Sequence, residues 1–365
     1  MTGGFKTYKW LLPASWLYGL GVRTRNLLFD KGLLESHSFD IPVISVGNIA
    51  VGGSGKTPHV EYLIRLLQPH CRVAVLSRGY KRATKGFVLA NSSSTARDIG
   101  DEPRQMKSKF ANVVVAVDED RNHGIGQLLT SPATRDIGVV LLDDAYQHRY
   151  VKPGLSILLT DYHRLITDDL LLPAGRLREP ASGKRRADII MVTKCPDGLT
   201  QADMRRVTLA LKPESHQALF FSSIAYESLQ PLFCGHDLPL AELPADEHVL
   251  LVSGIANPKP LLTEIGRHTR HVHHLGYADH HQFTTADITD IQSAFDALPQ
   301  PRCIITTEKD AVRLAGTKRL SEEARHHLYQ LPIRVRILDD KQALFDKKIT
   351  NYVSENTRNG ILDQG

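Results

Sequence analysis

The chain reads as an α/β protein in which a larger parallel-sheet domain is followed by a second, smaller α/β domain. Two observations predict this. Short apolar runs at 41–46, 73–76, 113–117, 139–142, 155–159 and 189–193 are separated by stretches of helical periodicity, the pattern of buried parallel strands joined by crossovers. A second series follows at 249–252, 271–274, 303–306 and 333–337, with helical stretches at 260–268 and 285–298 between its runs. The length of 365 residues agrees, since at ~150 residues per domain it is room for about two.

The elements divide the chain as follows. Residues 1–31 form an N-terminal segment, 32–221 the larger domain, 222–247 a connection broken by Pro231, Gly235, Pro239 and Pro244, 248–354 the smaller domain, and 355–365 a polar tail. In the N-terminal segment the 13 residues from Trp10 to Val22 are uncharged and are flanked by Lys9 and Arg23. As a helix they reach ~20 Å, short of the ~30 Å hydrocarbon core, so they are expected not to span a bilayer. Both tryptophans of the chain, Trp10 and Trp16, fall here among leucines, Tyr18 and basic residues. That is the composition of an amphipathic helix lying in a membrane interface, and equally of one packed on its own domain.

Composition excludes several classes. Hydrophobic residues at 42% and charged residues at 23% rule out a disordered chain, and a net charge of +5 is too small to indicate nucleic acid. Cys71, Cys195, Cys234 and Cys303 form no CxxC pair, which suggests neither a zinc site nor a disulfide framework. The histidines crowded at 268, 271, 273, 274, 280 and 281 have no cysteine or carboxylate to complete a tetrahedral set, so zinc is not expected.

The chemistry is concentrated in the loops that follow the strands, the edge at which open α/β sheets bind ligands. After the first run comes Ala50-Val51-Gly52-Gly53-Ser54-Gly55-Lys56-Thr57, and then a helical pattern. Strand, glycine loop and helix in this order make a P-loop, with Ala50 in place of the usual first glycine. The glycines let backbone N–H groups close around phosphate oxygens, Lys56 would reach the outer phosphates, and the Thr57 hydroxyl would ligate Mg²⁺. The run at 139–142 ends in Asp143 and Asp144, with Asp143 the expected metal-side carboxylate. Arg78, in the loop after the second strand, is a candidate phosphate partner. Asp101 would either cap the helix opened by Glu102 and Pro103 or act as a general base. VTKCPD at 192–197 differs from a guanine-reading loop at Thr193 and in the spacing of Asp197, so GTP is not indicated.

Six blocks together resemble the tetraacyldisaccharide 4'-kinases that phosphorylate the lipid A precursor: GNIAVGGSGKTP at 47–58, LSRGY at 76–80, GDEP at 100–103, LLDDAYQH at 141–148, LLPAGRLREP at 171–180 and YADHHQF at 277–283. The resemblance covers most of the chain except its last few dozen residues. Ala50 fits this family's relaxed loop, while Ala145 and Tyr146 depart from its commoner residues. It implies ATP- and Mg²⁺-dependent transfer of a phosphoryl group to the 4'-hydroxyl of an acylated glucosamine disaccharide 1-phosphate. The enzyme would be a peripheral or monotopic monomer at the cytoplasmic face of the inner membrane. It implies Asp101 as base with His280 as its partner, Glu102, Asp143 and Asp144 as metal-side carboxylates, and Gln147, His148, Arg176 and Arg178 on the disaccharide and phosphate side. Two other readings stand beside it: a soluble P-loop small-molecule kinase or ligase, and a membrane-associated regulatory NTPase.

Overall fold

A computed structural model of the chain describes residues 7–279, 281–316 and 319–356. A long helix, α1 (Leu12–Asp30), leads into β1 (Val43–Asn48), α2 (Lys56–Leu67), β2 (Arg72–Ser77), β3 (Val88–Leu89), α3 (Ala96–Ile99), α4 (Asp101–Lys109), β4 (Val114–Val117), α5 (Arg121–Thr130), β5 (Ile137–Asp143), β6 (Leu155–Asp161), β7 (Ile189–Thr193), α6 (Gln201–Leu211) and β8 (Ala218–Tyr226). After these come β9 (Gln230–Pro231), β10 (His248–Ser253), α7 (Lys259–Ile265), β11 (His271–Gly276), α8 (Thr285–Asp296), β12 (Arg302–Thr307), α9 (Glu308–Leu314), α10 (Glu322–His326), β13 (Leu328–Leu331), β14 (Ile333–Ile337) and α11 (Gln342–Asn356).

The strands form two sheets. The larger has the order β14-β8-β7-β6-β1-β5-β2-β4-β3, with β1, β2, β4, β5, β6, β7 and β8 parallel and the short β3 antiparallel at one edge. Both faces of its central strands are buried, as expected for near-continuous runs of Val, Ile and Leu. On one face Ile44, Val46 and Leu141 pack under Val60, Leu63 and Ile64 of α2, and on the other Val43, Val140 and Leu142 pack with Ile125 and Leu128 of α5. The register Val46↔Asp143 aligns the ends of β1 and β5, so the loops after these two strands open side by side. The smaller sheet has the order β11-β10-β12-β13-β9 and packs Leu250, Val252 and Ile304 with Ile288, Ile291 and Phe295.

Two boundaries differ from those the sequence suggested. The run 333–337 belongs to the larger sheet, where β14 lies beside β8. Leu338 N–H bonds to the Phe221 carbonyl at one end and Glu227 N–H to that of Pro332 at the other. The reason is packing: Val335 and Ile337 point into the large core, where Phe220 and Phe345 also lie, while Arg334 and Arg336 stay outside. The segment 222–247 is likewise no simple connection. Residues 222–226 finish β8, and Leu229, Leu240 and Leu243 are buried with Val249 and Leu251 in the smaller unit. The larger compact unit therefore takes the chain up to Ile224 and again from Val335, and Ala225–Arg334 form the smaller one.

The N-terminal helix also outruns the uncharged segment. Its 19 residues continue through Arg23 and Arg25, and among the described residues no helix is long and apolar enough to cross a membrane. One side, with Ser15, Gly19 and Phe29, is buried, whereas Trp16 and Leu20 on the other are 72% and 62% exposed, as is Trp10 just before the helix at 77%.

Because α11 closes the larger core, truncating it from within should harm the domain that holds the phosphate loop. Phe345 packs edge-on against Phe220 at 5.2 Å and Tyr62 at 5.7 Å between ring centres. Phe345→Ala is expected to cost about 3–5 kcal/mol, read as a lower urea midpoint at unchanged slope. A loss below about 1 kcal/mol would mean that α11 is not part of that core.

Candidate active site

The phosphate loop is held by neighbouring backbone more than by its own side chains. Gly55 caps α2 with φ +84°, and Gly52 has φ +114°, both in the region that favours glycine. Val51 N–H donates to the Arg176 carbonyl at 2.8 Å, and Arg178 N–H donates to that of Ile49 at 2.7 Å, so residues 176–178 run beside the loop as a short strand. From the other side Thr193 Oγ1 donates to the Ser54 carbonyl at 2.9 Å, and Lys194 Nζ donates to that of Gly53 and pairs with Asp161 Oδ2 at 2.8 Å. Inside the loop, Asn48 Nδ2 donates to Ser54 Oγ at 2.7 Å. With these carbonyls occupied from outside, and Val51 N–H and Ser54 N–H already bonded to the Arg176 and Gly52 carbonyls, it is the remaining N–H groups of the loop, those of its glycines first, that can face a phosphate. Lys56 and Thr57 open α2 behind it.

Opposite stand the carboxylates. Asp143 ends β5 almost fully buried, and burial first, then the charges of Asp144 and Glu102, raise its carboxyl to about 7 against the opposing pull of Lys56 and Arg121. Ser77 Oγ donates to Asp143 Oδ2 at 3.3 Å, while Asp143 Oδ1 is buried without a hydrogen-bond partner. Asp144, at φ +50°, meets Lys56 Nζ at 3.5 Å and Arg178 Nη1 at 3.4 Å. Among the described residues no three Asp, Glu, His or Cys side chains close into a metal cage. Mg²⁺ needs none, because it is held by one or two carboxylates together with water and phosphate oxygens. A buried carboxylate oxygen lacking a partner, crowded by two further carboxylates, fits such an ion.

The loop after β2 and the start of α4 are pressed together by two glycines. Gly79 has φ +68° and Gly100 φ +93°. A Cβ on Gly100 would stand 3.2 Å from both Gly79 Cα and the Tyr80 carbonyl oxygen. The helix cap is therefore Gly100, and Asp101 is the first helical residue, 9% exposed. Its expected alternative role as the capping side chain is not what the fold uses. Arg78 is exposed at this mouth, and its charge acts on His148 and Arg121. Burial first, then Arg121, Arg78 and Arg25, lower the His148 imidazole to about 4, so it is neutral at pH 7.

Gln147 is the junction of the site. Its Nε2 donates to the Asn48 carbonyl at 2.6 Å, its Oε1 accepts from Arg178 Nη1 at 3.3 Å, and its own carbonyl accepts from Arg25 Nη2 at 2.6 Å. Arg176 sits differently from Arg178. A methyl built on Gly52 would lie 3.6 Å from Arg176 Nη1, which puts this guanidinium against the phosphate loop. His280 lies outside the described residues. Around it, Tyr277 stacks on His281 at 4.8 Å, and His281 Nε2 meets Asp287 Oδ2 at 2.9 Å.

Sequence reasoning missed Arg121, Lys194 and Arg25. Arg121 is 2% exposed, bonds to the Asp118 carbonyl and, at 3.5 Å, to that of Asp143, and burial lowers its guanidinium to about 10. The Asp-Glu-Asp-Arg run at 118–121 gave a faint signal at the end of β4. Lys194 stood in the segment weighed only as a base-reading loop.

A glycine loop between β1 and α2, a lysine at its end and a buried carboxylate on the adjoining strand define a P-loop phosphate-binding protein of the nucleotide-dependent kinase and NTPase class. Within that class, the family described as Tetraacyldisaccharide-1-P 4'-kinase matches residues 7–353, and the chain belongs to it. The match extends into α11, beyond the reach of the motif blocks. The tetraacyldisaccharide 4'-kinases of Phocaeicola vulgatus and Bacteroides thetaiotaomicron are each 53% identical to the chain, over 97% and 98% of its length and 97% of theirs. The crystal structure of LpxK from Aquifex aeolicus in complex with ATP superposes with a TM-score of 0.71 at 29% identity, covering 94% of this chain and 98% of that one.

The glycine contact yields a test. Gly100→Ala places a Cβ against backbone at a φ open to glycine alone, so it should cost roughly 1–3 kcal/mol and displace the start of α4. A melting temperature and turnover equal to those of the unmodified protein would show that the two loops do not need this approach.

Proposed function

We propose that the chain transfers the γ-phosphoryl group of ATP to the 4'-hydroxyl of an acylated glucosamine disaccharide 1-phosphate. It does so as a monomer docked on the cytoplasmic face of the inner membrane. The observation that carries this reading is family membership over 7–353 together with an intact phosphate loop facing Asp143 and Asp144. Loop N–H groups and Lys56 bind the phosphates, and Arg176 beside Gly52 supplies a further cation there. Thr57, Asp143, Asp144 and Glu102 would hold Mg²⁺, which when bound offsets charge on the phosphates. Asp101 accepts the proton of the acceptor hydroxyl as its oxygen bonds to phosphorus and ADP leaves. His280 is assigned the role of its partner on the family resemblance. Arg78, Gln147, His148 and Arg178 line the acceptor and phosphate side.

The lipid character of the acceptor explains the exposed face of α1. Each buried CH₂ of an acyl chain holds the substrate in the bilayer by ~0.8 kcal/mol, so the enzyme must come to the surface. Trp10, Trp16, Leu17 and Leu20 with Arg23 offer apolar side chains and a cation to an anionic interface.

Lys56→Ala is expected to lower turnover by about 10²–10³-fold at saturating ATP without unfolding the protein, since a clamp on developing phosphate charge is worth ~3–4 kcal/mol. An assay of ATP with the acylated disaccharide in detergent micelles checks it, and undiminished turnover would remove Lys56 from the site. In the same assay Asp101→Asn should lose about 10²–10⁴-fold in kcat with its melting temperature held, because Gly100 and not Asp101 caps α4. A stable, fully active variant would eliminate the base.

A further inference from the structure

We propose that α1 forms a wall of the acceptor site as well as a docking surface, and that Arg25 is a positioning residue through which this helix sets Gln147 and the phosphate loop. The proposal rests on the reading of residues 144–148 and 171–180 as the acceptor side.

An anchor needs only an exposed apolar face. The opposite side of α1 is instead committed to those two loops. Ser15 Oγ donates to the Leu171 carbonyl at 3.0 Å and accepts from Ala174 N–H at 2.9 Å. Tyr18 OH donates to the Arg178 carbonyl at 2.9 Å, and Asn26 Nδ2 donates to Glu179 Oε2 at 3.1 Å. Gly19 faces Leu171 so closely that a methyl there would lie 2.7 Å from Leu171 Cδ1. These partners lie more than a hundred residues away in sequence, so the contacts form only when the helix is seated.

Arg25 carries the connection furthest. Its guanidinium donates to the Gln147 carbonyl at 2.6 Å, the short length of a charge-assisted bond, and rests 5.6 Å from the centre of the Phe29 ring. Fixing that peptide aims the Gln147 amide at the Asn48 carbonyl, and the Asn48 amide in turn holds Ser54. Three consecutive hydrogen bonds thus run from the surface helix to the phosphate loop. Arg25 also contributes to the positive field that keeps His148 neutral. Seating α1 and ordering the nucleotide loop are therefore one event, and loss of Arg25 is felt at ATP even where the membrane face of the helix is untouched.

The test uses the full chain in mixed micelles with ATP and acylated disaccharide 1-phosphate, alongside sedimentation with phosphatidylethanolamine/phosphatidylglycerol vesicles and calorimetric ATP titration without lipid. Arg25→Ala should lower kcat at saturating lipid about 10-fold or more and weaken ATP binding several-fold, with vesicle binding as in the unmodified protein, and Arg25→Lys should recover part of both. If Arg25→Ala does not fold, Tyr18→Phe, which removes one hydroxyl, should still lower kcat several-fold with vesicle binding intact. Unchanged kcat and ATP affinity in the folded variants, whether or not vesicle binding falls, would overturn the proposal. Failure of the unmodified protein to phosphorylate the disaccharide would instead remove the functional reading, and the ATP affinity of Arg25→Ala would still decide the role of Arg25.

Discussion

The end of β5 concentrates negative charge where water cannot relieve it, and much of the surrounding architecture answers that charge. Asp143 is buried beside Asp144 and within reach of the field of Glu102. Isolated carboxylates in such a place would neutralise by taking up protons. Here Lys56 leans to Asp144 from the phosphate loop, Arg178 approaches from the following segment, and Arg121 is buried deeply enough that its own charge is disfavoured. A magnesium ion and a phosphate chain entering this space would redistribute these pairings, the ion toward the carboxylates and the phosphate oxygens toward the basic side chains. The register of β1 against β5 is what brings the two sets together.

A second constraint is backbone accounting. A loop that turns its N–H groups toward a ligand must find other donors for its carbonyls. Thr193 and Lys194 at the end of β7 serve those of Ser54 and Gly53, and Arg178 N–H serves that of Ile49. The phosphate loop is thus shaped by two chain segments far from it in sequence. The alanine in place of the loop's first glycine, Ala50, fits the same arrangement: it is bridged antiparallel to Leu177 and does not adopt a positive φ.

What the sequence made legible has a common physical basis. The P-loop, the strand ending in Asp143 and the core strands are local patterns, in which spacing dictates geometry within a few residues. Lys194, Arg121 and Arg25 were illegible because their roles come from contacts to carbonyls brought near only by the fold, and a carbonyl has no residue type to betray it. Arg176 is expected with its neighbours on the disaccharide and phosphate side, and only the antiparallel pairing beside Val51 reveals that its guanidinium lies against the phosphate loop. The run 333–337 was placed with the strands nearest in sequence. Its two buried positions suit either sheet, and only the fit of Val335 and Ile337 against Phe220 and Phe345 separates them.

That β14 and α11 belong to the larger unit has a consequence for how the molecule is made. Synthesis is vectorial, at ~5–20 residues per second, and the chain interrupts the larger unit at Ile224 to build all of Ala225–Arg334 before returning. For several seconds the nascent domain carries a phosphate loop and seven parallel strands, but the hydrophobic surface awaiting Phe345, Ile349 and Val353 is bare and the β8 edge unpaired. The inserted unit can complete its own sheet during that interval, so the domain that begins first is finished last. A ribosome-bound intermediate of this kind is exposed to chaperones by its topology, and a nonsense codon late in the message would leave the nucleotide domain without its final layer.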